Sequence, residues 1–165
     1  MRKFIVSLII TLVGMIGTTS FAATTHTQSY SEHDFEQAVQ LIKKYETLHT
    51  PTNWPLIGYG HKVMPGEKYA RGQKLTESQA DALLRKDLKK FVDLYKNYGK
   101  DSLLLGVLAY NVGPGRVNKS NVVRLLKNGN RNIREAFEAM CRYKGKVHKQ
   151  IRARRIEEFQ TLFKH

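Results

Sequence analysis

Apolar side chains recur at helical spacing through several stretches of the chain. Ser31 can cap a helix, with Asp34 three positions on, and Phe35, Ala38, Val39, Ile42 and Tyr45 then share one face. That helix is predicted to end near Glu46, and burying Phe35, Val39 and Ile42 contributes ~1.5–3 kcal/mol each. From Thr47 to Gly72 the helical pattern stops. Pro51, Pro55, Gly58, Gly60, Pro65, Gly66 and Gly72 argue against helix, while Leu56-Ile-Gly-Tyr-Gly-His-Lys-Val63 reads as strand. Its glycines suit a backbone that something approaches closely, and the segment is expected to form a small hairpin or β-lobe.

Helix resumes at Thr76-Glu-Ser-Gln79, a capping box ahead of Ala80, Leu83, Leu84, Leu88, Phe91 and Leu94, and is expected to run to about Asn97. Leu103 to Val112 is apolar on all sides, the mark of a helix in the middle of a core, and Gly113 stops it. Further helices are expected over Ser120–Lys127, over Asn132–Tyr143 with Gly145 closing it, and over Val147–Phe163 with Ile151, Ile156, Phe159 and Leu162 inward. The fold class is therefore mainly α within α+β: a helical bundle with one small β-hairpin lobe, and a cleft between the two. The length of 165 residues suits one such domain, over residues 31–165.

The N-terminal stretch breaks this pattern. Arg2 and Lys3 precede an apolar run from Phe4 to Ile16, and Ser20 and Ala22 supply a small-x-small site. Residues 1–22 read as a secretory signal cut after Ala22, with a polar, flexible lead over residues 23–30. The expected location is periplasmic or secreted, without a membrane anchor once the signal is cut.

Charge then takes on a meaning. The chain has 28 Lys and Arg against 14 Asp and Glu, a net charge of +14. Loss of the leader leaves 26 against 14, or +12. A basic cytoplasmic domain would suggest nucleic acid. A basic exported one points instead to an anionic cell envelope, and no nucleic-acid partner is expected. A single cysteine, Cys141, rules out an internal disulfide, and no CxxC or HExxH pattern is present, so no metal or cofactor is expected.

Glu46 is the leading candidate for chemistry. A carboxylate ending a helix meets the negative pole of the macrodipole, an environment suited to an acid that hands on its proton. Lys44-Tyr-Glu46 followed by Leu56-Ile-Gly-Tyr-Gly-His61 resembles the phage-type lysozyme family, in which a helix-ending Glu precedes a hairpin bearing T-I-G-Y-G-H. Leu75 to Asp87 is similar to that family's interlobe helix, and Ala109-Tyr-Asn-Val-Gly113 to its buried A-F-N-V-G. Tyr143-Lys-Gly-Lys-Val147 and Arg154-Arg-Ile-Glu-Glu158 resemble its closing G-G-x-V and R-R-x-x-E segments.

The resemblance implies a monomeric enzyme acting on peptidoglycan glycan strands. It would cleave the bond between N-acetylmuramic acid and N-acetylglucosamine, with Glu46 as general acid. It also implies a structural pair between His61 and Asp87. Tyr59 is expected to stack on a sugar face in the cleft, with Trp54 either there or packing the small lobe. Asn111 is expected to bond the substrate or the chain near Glu46. Arg142 and Arg154 are expected to meet the acidic peptide stems of the wall.

One departure matters. The family's hairpin carries an Asp and a Thr that position the attacking water. Leu56 stands at the Thr position, the Asp position falls near Thr50, and no Asp or Glu occurs between Thr47 and Gly66. His49, Thr50 and Thr52 are the candidates to position water instead, and Glu67 is the next carboxylate along. Two alternatives stay open beside hydrolysis: a lytic transglycosylase on the same scaffold, and a wall-binding protein without activity.

Overall fold

The computed structural model describes residues 29–165. The expected signal and its cut after Ala22 lie outside them, as does most of the lead. At the lead's end, Ser29 Oγ donates to Gly99 O at 2.8 Å and the Tyr30 ring stacks on Phe35. Those two residues are docked against the domain.

Helix α1 covers Glu32–Glu46 and opens with the expected capping box between Ser31 and Asp34. Strands β1 (Leu56–Ile57) and β2 (His61–Lys62) pair antiparallel, Leu56 opposite Lys62 and Ile57 opposite His61. The stretch expected as one strand is therefore a hairpin whose turn is Gly58-Tyr59-Gly60. Gly58 and Gly60 sit at φ +56° and +93°, which glycine adopts without the steric cost a Cβ brings.

Helix α2 (Glu77–Leu94) begins at the Thr76–Gln79 capping box and gives way to a 3-10 turn over Lys96–Asp101, earlier than the expected end near Asn97. Helix α3 (Ser102–Val112) is buried without interruption from Ser102 to Ala109, as its unbroken apolar run requires. Two short helices follow, α4 (Pro114–Asn118) and α5 (Asn121–Lys127). The first was not anticipated: Pro114 takes a first-turn position, where its missing N–H costs nothing.

The largest correction lies beyond them. Helix α6 spans only Arg134–Glu138, and the chain then forms a second hairpin, β3 (Arg142–Tyr143) with β4 (Lys146–Val147). Lys144 and Gly145 turn it at φ +49° and +79°, so Gly145 closes a hairpin rather than a helix. Helix α7 (Lys149–Leu162) completes the fold. Cys141 is a free, buried thiol, as its isolation in the sequence suggests.

The core lies where α3 is surrounded by α1, α2 and α7. The crossing of α2 and α3 is close because Gly106 has no side chain. A Cβ there would lie 2.5 Å from Val92 Cγ2 and 3.0 Å from the Val92 backbone. Gly106→Ala is therefore expected to destabilise the fold by about 1–3 kcal/mol in denaturant titration, despite the better helix propensity of alanine. An unchanged midpoint would contradict this packing. The C-terminal end of α1 is tied to α7 through Glu157, which accepts from Lys44 Nζ at 2.7 Å and from the Tyr45 hydroxyl at 2.5 Å.

Candidate active site

Glu46 is the last residue of α1, and its carboxylate enters a closed ring of five side chains. Its Oε1 accepts from Arg154 Nη1 at 2.6 Å and from Asn111 Nδ2 at 3.1 Å. Arg154 Nε donates to Glu158 Oε1 at 2.7 Å, and Arg155 Nη1 donates to Glu158 Oε2 at 2.5 Å. Arg155 Nη2 closes the ring by donating to Asn111 Oδ1. Two carboxylates face two guanidinium groups, so the ring is neutral. Glu158 and Arg155 are 0% exposed and Arg154 4%.

At such depth the charges interact strongly, and each also loses hydration. For Arg154, burial works against the charge, but Glu158 and Glu46 outweigh it and raise its pKa. Two donors, Arg154 Nη2 and Arg155 Nε, are buried without a partner among the described residues.

The ring holds only one oxygen of Glu46. Among the described residues, Oε2 takes no hydrogen bond. It faces the β1–β2 turn, where a Cβ on Gly60 would come within 3.3 Å of it. The glycine thus lets the turn come close to the carboxylate while leaving Oε2 unbonded. Glu46 is thus half-buried, with one oxygen anchored and the other unbonded among the described residues.

A groove of about 930 Å³ is lined by Asn111, Gly113, Arg116, Lys119, Arg142 and Tyr143, among others. No acidic side chain lines it among the described residues. Arg142 is exposed there, and it also donates to Gly145 O at 3.0 Å within its own hairpin. Asn111 belongs to both the ring and the groove lining, whereas Glu46 does not itself line the groove.

Two expected substrate contacts are corrected. Arg154, expected to meet peptide stems, is spent inside the ring, because Glu46 and Glu158 both bond its guanidinium. Tyr59, expected to stack on sugar, is 7% exposed and packs in the small lobe. Its hydroxyl lies 3.4 Å from Glu77 Oε1, and Lys43 Nζ sits 5.3 Å from its ring centre. Trp54 also packs partly buried against the core.

Of the three candidates for holding water, Thr50 and Thr52 are bonded elsewhere. The Thr50 and Thr52 hydroxyls lie 2.8 Å apart, and Thr50 also donates to Asn53 Oδ1. His49 Nδ1 approaches Thr47 O at 3.4 Å, and its backbone N–H donates to Gly58 O. None of the three bonds Glu46.

His61 Nδ1 lies 2.5 Å from Asp87 Oδ2, so the pair that the family resemblance implies is present. The sequence did not suggest its second partner. Glu67 Oε2 lies 2.9 Å from His61 Nε2 and accepts from the Met64 N–H at 2.8 Å. Asp87 foremost, then Glu67, raises the imidazole pKa above its ordinary 6.5, against the opposing pull of burial. The Met64 N–H foremost, then His61, lowers the Glu67 pKa below its ordinary 4.5.

The His61 contribution to stability is complete below pH 6.5 and is lost as pH rises through the raised folded value. The Glu67 contribution is complete above pH 4.5 and is lost as pH falls through the depressed folded value. Both are whole between pH 4.5 and 6.5. The melting-temperature difference between wild type and Glu67→Gln is expected to be largest in that window and to shrink on either side. A difference independent of pH would contradict the coupling.

Comparison with known proteins agrees with this geometry. The phage lysozyme family profile matches residues 43–158, which include Glu46, both hairpins and the R-R-x-x-E segment. An endolysin of Bacillus phage B103 is 33% identical over 147 residues, covering 78% of this chain and 52% of its own length. The chain thus spans about half the length of the curated relatives it matches.

Among solved structures, the muramidase domain of SpmX from Asticaccaulis excentricus is 26% identical with a TM-score of 0.65. The match covers 78% of this chain and 96% of that domain. An endolysin from Escherichia coli O157:H7 phage FAHEc1 is 25% identical with a TM-score of 0.62, covering 76% of this chain and 90% of its own. The α+β architecture is lysozyme-like, and the chain belongs to the phage lysozyme family.

Proposed function

We propose that the protein cleaves the glycan strands of peptidoglycan between N-acetylmuramic acid and N-acetylglucosamine, with Glu46 as the general acid. The observation that carries this reading is the ring that anchors Oε1 of Glu46 and leaves Oε2 unbonded beside Gly60. Oε2 hands its proton to the glycosidic oxygen as the sugar's anomeric carbon takes on oxocarbenium character. The carboxylate left behind is balanced by Arg154, a donor already in place that needs no reorganisation. Arg154 and Asn111 act here as positioning residues.

The substrate class fits the groove. Arg116, Lys119 and Arg142 supply positive charge along it, and peptidoglycan carries carboxylates on its peptide stems. The likeness to endolysins and to a muramidase domain supports the same substrate. Export by the N-terminal signal, with removal of residues 1–22, would bring the protein to that substrate as a monomer needing no metal or cofactor. The rival, a wall-binding protein without activity, has no use for a half-buried carboxylate with one oxygen left unbonded.

The test is the identity of the sugar at each new chain end. Purified sacculi are digested with the chain, and the released fragments are separated and weighed. Muramic acid at the newly made end is expected. N-acetylglucosamine in that position would make the enzyme a glucosaminidase and overturn the proposed bond.

A further inference from the structure

We propose that Arg155 is a positioning residue for the reaction: it fixes the Asn111 amide so that the acidic proton of Glu46 sits on Oε2, the oxygen facing the β1–β2 turn. The inference rests on the reading of Glu46 as the acid and deepens it, naming the residue that decides which of its two oxygens holds the proton.

Asn111 sits near the end of α3, and its amide lies between partners on two other helices. Arg155 Nη2 on α7 donates to Asn111 Oδ1, and Asn111 Nδ2 donates to Oε1 of Glu46 on α1. An amide has a donor end and an acceptor end, whereas a guanidinium only donates. The end that meets Arg155 is therefore the oxygen, and the nitrogen is left to face Glu46. Rotated by half a turn, the amide would set N–H against N–H at Arg155. The same rotation would offer an oxygen to Glu46, which could take a proton from Oε1 and hold it inside the ring. Arg155 excludes that arrangement. Oε1 accepts from Arg154 Nη1 at 2.6 Å and from Asn111 Nδ2 at 3.1 Å, so the proton is left to Oε2 beside Gly60.

Arg155 is itself held rigidly for this task. It is 0% exposed, and Glu158 Oε2 accepts from its Nη1 at 2.5 Å. Burial foremost, and the like charge of Arg154, lower its pKa against the pull of Glu158. Replacing a buried ion pair by side chains of similar volume without charge is often neutral or stabilising. Packing alone thus does not call for an arginine here. What the guanidinium adds is its rigid fork of nitrogens, which lets one side chain bond Glu158 and Asn111 together.

The test removes the Arg155 charge together with that of its partner, as Arg155→Met with Glu158→Gln, so that the ring stays neutral and Arg154 stays paired with Glu46. Muropeptide release from purified sacculi is followed over a range of substrate, with the melting curve of each variant alongside. The expected result is a kcat lower by about 10–100-fold, the size of one hydrogen bond to a charged group, at little-changed KM in a folded protein. In an Asn111→Ala background the same paired change is expected to lower kcat by less than about 2-fold further, because Arg155 acts through that amide. Arg155→Lys, with one nitrogen in place of the fork, is expected to lose activity in the same range and gives a singly substituted check. Wild-type kcat in the folded paired variant or in Arg155→Lys, or losses that simply multiply with Asn111→Ala, would overturn the role of Arg155 and leave Glu46 as the acid. Glu46→Gln is run beside them: full activity there would overturn the acid role, and this inference with it.

Discussion

Glu158→Ala is expected to destabilise the fold by about 3–5 kcal/mol. Glu158 is fully buried at the centre of the ring and is the carboxylate shared by Arg154 and Arg155. Its removal leaves Arg154 with Glu46 alone and Arg155 with no carboxylate partner among the described residues. An uncompensated buried charge costs far more than the net worth of the pair. An exposed pair makes the contrast. Lys96 and Asp93 are 3.7 Å apart with side chains 55% and 73% exposed, and Asp93→Ala is expected to stay within about 0.5 kcal/mol. Denaturant titration of the two variants measures both. A Glu158→Ala cost below about 1 kcal/mol would mean that the ring is not formed as described.

Glu46→Gln is expected to lower peptidoglycan cleavage by at least ~10²-fold, the usual lower bound for loss of a general acid. The substitution keeps the shape of the side chain. Its amide oxygen can still accept from Arg154 and Asn111, so the ring persists in altered form and the protein stays folded. The proton available at Oε2 is lost.

The parts of this fold that were legible in the sequence are those decided locally. The capping boxes at Ser31 and Thr76 fix where α1 and α2 begin, because side chain and backbone satisfy each other within one turn. The apolar run of α3 could sit nowhere but inside. The glycines at 58 and 60 signalled close approach, and they meet Ala80 and Glu46 respectively. The β3–β4 hairpin was hidden because a glycine at positive φ ends a helix and turns a hairpin equally well. Only tertiary context separates the two.

The ring was hidden for a related reason. Arg154 was expected at the peptide stems of the wall, although Ile151, Arg155, Glu158 and Leu162 recur at helical spacing along a single stripe of α7. Charged residues lying between apolar ones on one stripe were the available signal for a buried ion-pair network. Glu46 itself was picked out by its place at a helix end and by family resemblance. The guanidinium that flanks it comes from a residue 108 positions away, which no local pattern reveals.

The central claim is that Glu46 performs the chemistry. Its most direct test is the rate at which soluble muropeptides are released from purified sacculi by the wild-type chain and by Glu46→Gln at equal concentration. The melting curve of each is recorded alongside. Release by the wild type, with a loss of at least ~10²-fold in a folded Glu46→Gln, is the predicted result. Equal release by the two proteins, both folded, would contradict the account and place the chemistry elsewhere in the cleft.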